Sequence, residues 1–413
     1  MDWRSTVKNA AEQVAESGAF AAEHIERICN YFGPRECGSE AERNAQDYLT
    51  ELLSDCSDLV SREEFEAHPR AFMAFVPIAG SLLLGATGLN IASAVKKNSK
   101  LAAASIPLIG AAVGAVVGEF GVYKKPLDPL FPKKISGNVF AVKKAKGETK
   151  RRIIISGHTD SAPEWTYTYK LGSKGVTSVV GYALAGLAGA IASTTVALKS
   201  KSDKLKKAAA FGQLAFVPGF AALYSFTNPR RFVDGASDDL SGCLIAASAL
   251  KFLSDNDISF ENTEVVALLT GGEECGLRGC EAFFKDHPEM TDPSVETIFV
   301  GFDTFRDEEY MAIYGKDLNG LVNNDPAVCR LVQSAASKCG NAVPIGAIPL
   351  GSCDAAAASR AGVKAASIVA MDPAPARYYH TRLDTADNLI PSTISKGVEI
   401  ALQTIFDFDE GQL

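Results

Sequence analysis

Five short segments of this chain gather acids and histidines. They are Gly157-His158-Thr159-Asp160, the run DGASDDLSG from Asp234 to Gly242, Glu273-Glu274, Phe302-Asp303-Thr304, and Tyr378-Tyr379-His380-Thr381. The chain has only five histidines, and two of them fall here. The segments lie at expected strand ends, and in open α/β sheets sites form at the carboxyl ends of strands. Two imidazoles and several carboxylates converging there make a divalent-metal ligand set. Zinc takes histidine nitrogen and carboxylate oxygen, and a catalytic zinc keeps one position open for water. A shared carboxylate can hold two metals roughly 3.5–4 Å apart. A second carboxylate beside a ligand, itself free of metal, is placed to shuttle a proton.

Each segment also has a plainer reading. Glu273 and Glu274 follow the apolar run Val265–Leu269 and the break at Gly271-Gly272. Two acids there are costly unless something positive sits nearby, yet they also suit a helix N-terminus. His158 alone reads as a core histidine. Asp238-Asp239 reads as a turn and cap, Asp303 as a cap, and His380 as a surface residue. The joint occurrence of all five, in this order, favours the metal site.

The elements that must position these residues alternate in type. Ser39 is the expected N-cap of a helix running to about Leu53, and Val60–Ala67 alternates as a strand. ISGNVFAVKK, from Ile135, and RRIIISG, from Arg151, read as two further strands around the turn AKGET. Val265–Leu269, Thr297–Phe302 and Ala365–Val369 read as strands. Ser241–Leu253, Ala327–Lys338 and Ile394–Phe406 read as helices. Such alternation predicts an α/β fold with a mostly parallel mixed sheet flanked by helices.

Four apolar runs interrupt this pattern. Ala71–Val95 and Leu101–Gly118 carry no charge and are separated by KKNSK; Gly175–Leu198 and Ala208–Pro229 carry none and are separated by KSKSDKLKK. Each pair is about long enough to cross a bilayer twice. The spacing Gly110, Gly114, Gly118 is the small-xxx-small pattern that lets helices approach in lipid and allows self-association. Buried helices of a large soluble core, or surface-lying hairpins, are the competing readings. Mean hydropathy is high for a soluble enzyme. Charged residues are 22% and net charge is −8, which argues against a nucleic-acid face. Nine cysteines form no CxxC pair and are odd in number, so no disulfide scaffold is expected.

The motifs resemble peptidase family M28, a family of di-zinc metallopeptidases. SGHTDS, DGASDDLSG, GGEECGLRGC, VGFDTF and YYHTRLDTADNL match its ordered elements, and GPRECGSEAERNAQDYL resembles its N-terminal helix. The resemblance covers everything but the apolar hairpins. It implies a zinc-exopeptidase fold with two zinc ions: His158 and Asp303 on one, Glu274 and His380 on the other, Asp238 bridging. It further implies Glu273 as general base, Asp160 orienting His158, Tyr379 donating to the oxyanion, and Asp354 lining the pocket. Other divalent metals suit the same ligands. Residues 1–70, 124–174 and 230–413 would form the peptidase domain, and 71–123 and 175–229 two transmembrane hairpins.

The expected activity is a membrane-anchored aminopeptidase. A carboxypeptidase of the same family, a one-zinc cyclase of the glutaminyl-cyclase type and a non-catalytic receptor or scaffold are the alternatives. Expected partners are a peptide substrate, which could itself be membrane-associated, and the lipid bilayer. The lysine and arginine counts on the two sides of the hairpins are similar, so the positive-inside rule does not decide orientation. The N-terminal stretch lacks the apolar core of a signal peptide, and with the free cysteines this predicts a cytoplasmic catalytic domain.

Overall fold

A computed structural model describes residues 3–374 and 376–413. The first two residues of the expected segment 1–70 thus lie outside the described residues. The chain divides into two compact units. One comprises Met1–Pro69, Lys133–Pro163 and Arg231–Leu413; the other comprises Arg70–Pro132 and Glu164–Arg230.

The first unit is built on a nine-stranded sheet. Its strands are β1 (Leu59–Ala67), β2 (Lys134–Lys143), β3 (Arg151–His158), β6 (Thr263–Thr270), β7 (Glu296–Phe305), β8 (Met311–Asp317), β9 (Val322–Asn323), β10 (Ile345–Ala347) and β11 (Lys364–Ala370). Two short strands, β4 (Pro163–Trp165) and β5 (Thr227–Phe232), pair separately. The order in the main sheet is β1-β2-β6-β3-β7-β11-β8-β10, with β9 on β8. Its centre, β6-β3-β7-β11, is parallel. These strands read as unbroken apolar runs because both faces are covered. The Ser241–Asp255 helix lies against β3, β6 and β7, and its residues from Ser241 to Leu250 are all buried. On β1 and β2 lies the Glu40–Ser54 helix, whose N-cap Ser39 accepts a hydrogen bond from Glu42 N at 3.1 Å. The sheet is thus mixed and mostly parallel, as expected.

Sequence reasoning missed β8. Met311–Asp317 pairs antiparallel with β11 and carries β9 and β10 beyond it. The segment is short and contains Gly315, so its propensity signal is weak and pairing decides its state.

The second unit holds four long apolar helical stretches, Phe72–Lys96, Ser99–Gly121, Ser173–Lys199 and Asp203–Ser225, each long and apolar enough to cross a membrane. The last differs from the expected Ala208–Pro229 run. It starts earlier, breaks into short turns after Gly212, and is followed by β5; Pro218 and Gly219 interrupt regular helix there. Ala79, Ala86, Ala112 and Ala190 pack with Phe220 in the interior, while Ile106, Leu184 and Leu214 are exposed. Close packing falls at Gly186, where a Cβ would come within 2.5 Å of the Phe220 ring. Of the row Gly110, Gly114, Gly118, the first two meet no neighbour within this chain, whereas a Cβ on Gly118 would lie 2.7 Å from the Pro126 ring.

Among the ionic contacts of the edge strand β1, one has a histidine held between two carboxylates. His287 Nε2 lies 2.6 Å from Glu63 Oε2 on β1, and Nδ1 lies 2.7 Å from Glu289 Oε1. Burial works against charge on this imidazole, but the two carboxylates outweigh it and raise its pKa. A raised folded-state pKa adds stability that is fully present below the unfolded value, near 6.5, and is lost as pH rises through the folded value. His287→Gln is therefore expected to lower the thermal midpoint more at pH 5.5 than at pH 8.5, as followed by circular dichroism; an equal deficit at both would refute this contact.

Candidate metal centre

The loops after the central strands are brought together by close backbone approach. A Cβ on Gly157 would lie 2.4 Å from Cys243 N, and one on Gly242 would lie 2.1 Å from Phe302 O. Glycine at these positions lets β3, β7 and the Ser241–Asp255 helix meet beneath His158 and Asp303.

Three buried acids then fix the loops by accepting backbone N–H groups. The Asp239 carboxylate accepts from His158 N (3.0 Å), Gly242 N (2.9 Å) and Thr304 N (3.2 Å). Asp160 accepts from Glu273 N (3.0 Å) and Glu274 N (3.2 Å), and its Oδ1 lies 3.5 Å from His158 Nδ1. Asp384 accepts from Ser237 N (2.8 Å) and Asp238 N (3.1 Å). Arg35 is fully buried and works in the opposite sense. Its guanidinium donates to Thr159 O (2.7 Å), Asp234 O (2.6 Å) and Gly235 O (3.0 Å), joining the helix-leading loop to two site loops.

Held this way, the functional groups converge. His158 Nε2 lies 3.1 Å from Asp238 Oδ1, while His380 Nε2 lies 3.1 Å from Asp238 Oδ2 and 3.2 Å from Glu274 Oε1. The two oxygens of Asp238 thus face two different histidines, as a bridging carboxylate would. Ligand atoms of His158, Asp238 and Glu274 all lie within 4.8 Å of one another, as do those of His158, Asp239 and Asp303. Asp239 belongs to the second group by distance, but its oxygens are spent on N–H donors. Glu273 Oε2 stands 3.8 Å from His158 Nε2. Tyr379 is half-buried with its ring stacked on His380 (3.9 Å, 23°), whereas Tyr378 is buried and donates to Asp307 Oδ2 at 2.8 Å. His380 and Thr304 both adopt left-handed backbone, φ 52° and 46°, which aims side chains at a cost typical of functional sites.

The electrostatics call for cations. Burial pushes the carboxyls of Glu273, Glu274 and Asp303 up, and neighbouring carboxylates add to this. Burial would raise Asp238 as well, but hydrogen bonds from His158 and His380 hold it below the usual carboxylate range. Burial opposes charge on His380, yet Glu274 and Asp238 carry its imidazole up to about 10. Moreover, the buried atoms Asp238 Oδ2 and Glu274 Oε1 both face the same nitrogen, His380 Nε2, at 3.1 and 3.2 Å, and one N–H cannot serve both. Buried acids in such excess, with two imidazoles and acceptor oxygens left over, fit divalent metal held by nitrogen and oxygen.

Every residue singled out from the sequence lies at this centre, Asp354 included. Asp354 lines a small cavity with His158, Glu273 and Asp303, accepts from Thr270 Oγ1 at 2.5 Å, and is pushed by burial up to about 7. Sequence reasoning left Asp239 without a role and missed Asp384 and Arg35. Asp384 was within reach, four residues after His380 in the HTRLD element. Arg35 carries no such signal, because its partners are carbonyls of distant loops.

The Peptidase family M28 model matches residues 138–405. No curated protein matches the sequence. Among solved structures, the chain is similar to the zinc aminopeptidase BSAP from Bacillus subtilis (13% identity, TM-score 0.56, 95% of each chain). It is also similar to an aminopeptidase from Aneurinibacillus sp. strain AM-1 (16%, 0.54, 96% of each chain) and to a glutaminyl cyclase from Fimbriiglobus ruber (14%, 0.55, 94% of each chain). These likenesses establish the fold.

Partners that orient ligands are worth about 10–100-fold in metal affinity. Asp384→Asn, which leaves every proposed ligand in place, is expected to weaken zinc binding by that order in competition with a chelator. Affinity equal to wild type would show that the Asp238 loop needs no such support.

Proposed function

The chain belongs to peptidase family M28, and on that premise we propose that it is a membrane-anchored di-zinc aminopeptidase. The carrying observation is Asp238, whose two oxygens face His158 and His380 separately. In this reading His158 and Asp303 would hold one metal and Glu274 and His380 the other, with Asp238 shared. When bound, such metals make water acidic enough to supply hydroxide near neutral pH and polarise the scissile carbonyl.

The protein's own residues do the rest. Glu273 binds no metal in this reading. Burial raises its proton affinity, which suits a group that takes a proton from the attacking water and delivers it to the leaving amine nitrogen. Asp160 holds the backbone of Glu273 and Glu274 and faces His158, so base and ligands keep a fixed relation. Tyr379, against His380, is the candidate donor to the carbonyl oxygen as it gains charge.

Charge supports trimming from the amino end. The acids around the centre exceed what two divalent ions neutralise, which favours a substrate ammonium. The buried arginine among them, Arg35, is engaged by carbonyl oxygens and unsuited to a terminal carboxylate. The cyclase alternative shares the fold, but His158 stands in place opposite Asp238 and favours hydrolysis. The two apolar hairpins would cross the bilayer and return, leaving the catalytic unit on one side. The cysteines, all free among the described residues, support a reducing, cytoplasmic setting.

With zinc supplied, the detergent-purified protein is expected to bind about two metals per chain and to release N-terminal residues from a peptide panel. Glu273→Gln should keep both metals while cutting hydrolysis about 10²–10⁴-fold. A variant as active as wild type would remove Glu273 from the mechanism. Pyroglutamate formation with one metal per chain would instead establish the cyclase reading.

A further inference from the structure

The two inserted hairpins end in lysine-rich turns, and within the second unit these turns are joined. The first tip carries Lys96, Lys97 and Lys100; the second carries Lys199, Lys201 and Lys204, with Lys206 and Lys207 just beyond. Lys97 pairs with Asp203, the one acid in either tip. Seven of the eight lysines are exposed and the other is half-buried. A strongly basic end is thus assembled in a chain of net charge −8.

A hydrogen-bonded layer sets the tips level. Asn90 Nδ2 donates to Thr194 Oγ1 at 3.0 Å, Ser105 Oγ lies 2.8 Å from Thr194 Oγ1 and donates to Asn90 Oδ1 at 3.3 Å, and Gln213 Oε1 stands 3.5 Å from Asn90 Nδ2. All four residues are buried, and each comes from a different apolar stretch. Asn90 lies six residues before Lys96, Ser105 five after Lys100, Thr194 five before Lys199 and Gln213 six after Lys207. At 1.5 Å per residue, all four stretches therefore reach their lysines roughly 8–9 Å from the same polar layer. Buried polar groups of this kind hold register because misalignment would leave them unpaired.

Apolar side chains are exposed among and beside these lysines. Val95, Leu198, Leu205 and Phe211 are 58%, 42%, 50% and 45% exposed. A merely solvated charge run has no need of exposed apolar side chains interleaved with it. Exposed apolar side chains beside long cationic ones match the boundary between acyl chains and headgroups, where lysine stems lie along apolar surface and ammonium groups reach outward.

We propose that the joined hairpin tips are a binding surface for anionic phospholipid headgroups. This rests on the membrane reading of the hairpins and adds lipid selectivity to it. Lysines near a surface attract anionic headgroups, and salt screens that attraction.

The test uses the full chain reconstituted in vesicles of equal phosphatidylcholine and phosphatidylglycerol, then extracted in mild detergent. Lipid retained by the protein is counted by mass spectrometry. The comparison is a variant with K96Q, K100Q, K201Q, K204Q and K207Q, which keeps the Lys97–Asp203 pair and the polar layer. Wild type is expected to retain phosphatidylglycerol over phosphatidylcholine by about fivefold at low salt. The ratio should fall towards one in the variant and in 0.5 M salt. A wild-type ratio near one, or an unchanged ratio in a variant with wild-type circular dichroism, would overturn the proposal. Insertion is scored separately, in vesicles of pure phosphatidylcholine washed with alkaline carbonate. Retention there with no lipid preference sinks the headgroup surface alone, whereas release of wild type sinks the membrane reading and the proposal with it.

Discussion

The structure of the catalytic unit depends on keeping a group of carboxylates buried at the ends of parallel strands. In a low-dielectric interior such a cluster is unfavourable unless each member has a defined partner. The acids divide into two sets on this basis. Asp160, Asp239 and Asp384 have their hydrogen bonds supplied by backbone N–H groups, and in accepting them they fix the loops that carry His158, Asp238, Glu273, Glu274 and Thr304. Asp238, Glu274 and Asp303 keep oxygens directed at the histidines or at one another, which is what metal ligation requires. One residue type thus serves as scaffold and as candidate ligand, and hydrogen-bond donors decide which.

The sheet makes this division feasible. Parallel strands β6, β3, β7 and β11 deliver four loops to one edge, so ligands distant in sequence become neighbours. The glycines at Gly157 and Gly242 remove the side chains that would hold those loops apart. The inserted hairpins enter between β1 and β2 and between β3 and β6, in connections rather than strands. Loop insertions cost little in closure entropy, and the pairing of the central strands continues past both of them.

Much of the fold and site was legible because the pattern was redundant. Strands such as β3 and β6 are long apolar runs, and five metal-site segments keep their order and local sequence. What escaped had weaker signals. β8 is short and is a strand through its pairing with β11. The glycine row suggested helix contact, yet Gly110 and Gly114 face no neighbour in the chain, and close contacts between the apolar stretches fall instead at Gly186 and Gly219.

By itself, the sequence determined the residue types, their order and the apolar runs, and therefore the family, the sheet class and the candidate ligands. These are properties of local composition and spacing, which survive without coordinates. Only the tertiary structure decided which of Asp238 and Asp239 turns towards both histidines and which towards backbone N–H groups, since adjacent aspartates are equivalent until the loop is folded. It also revealed Arg35 as the clamp on two distant loops and the polar layer that levels four apolar stretches. Those contacts join residues far apart in the chain, and no local spacing encodes a hydrogen bond whose two ends meet only when the whole unit has packed.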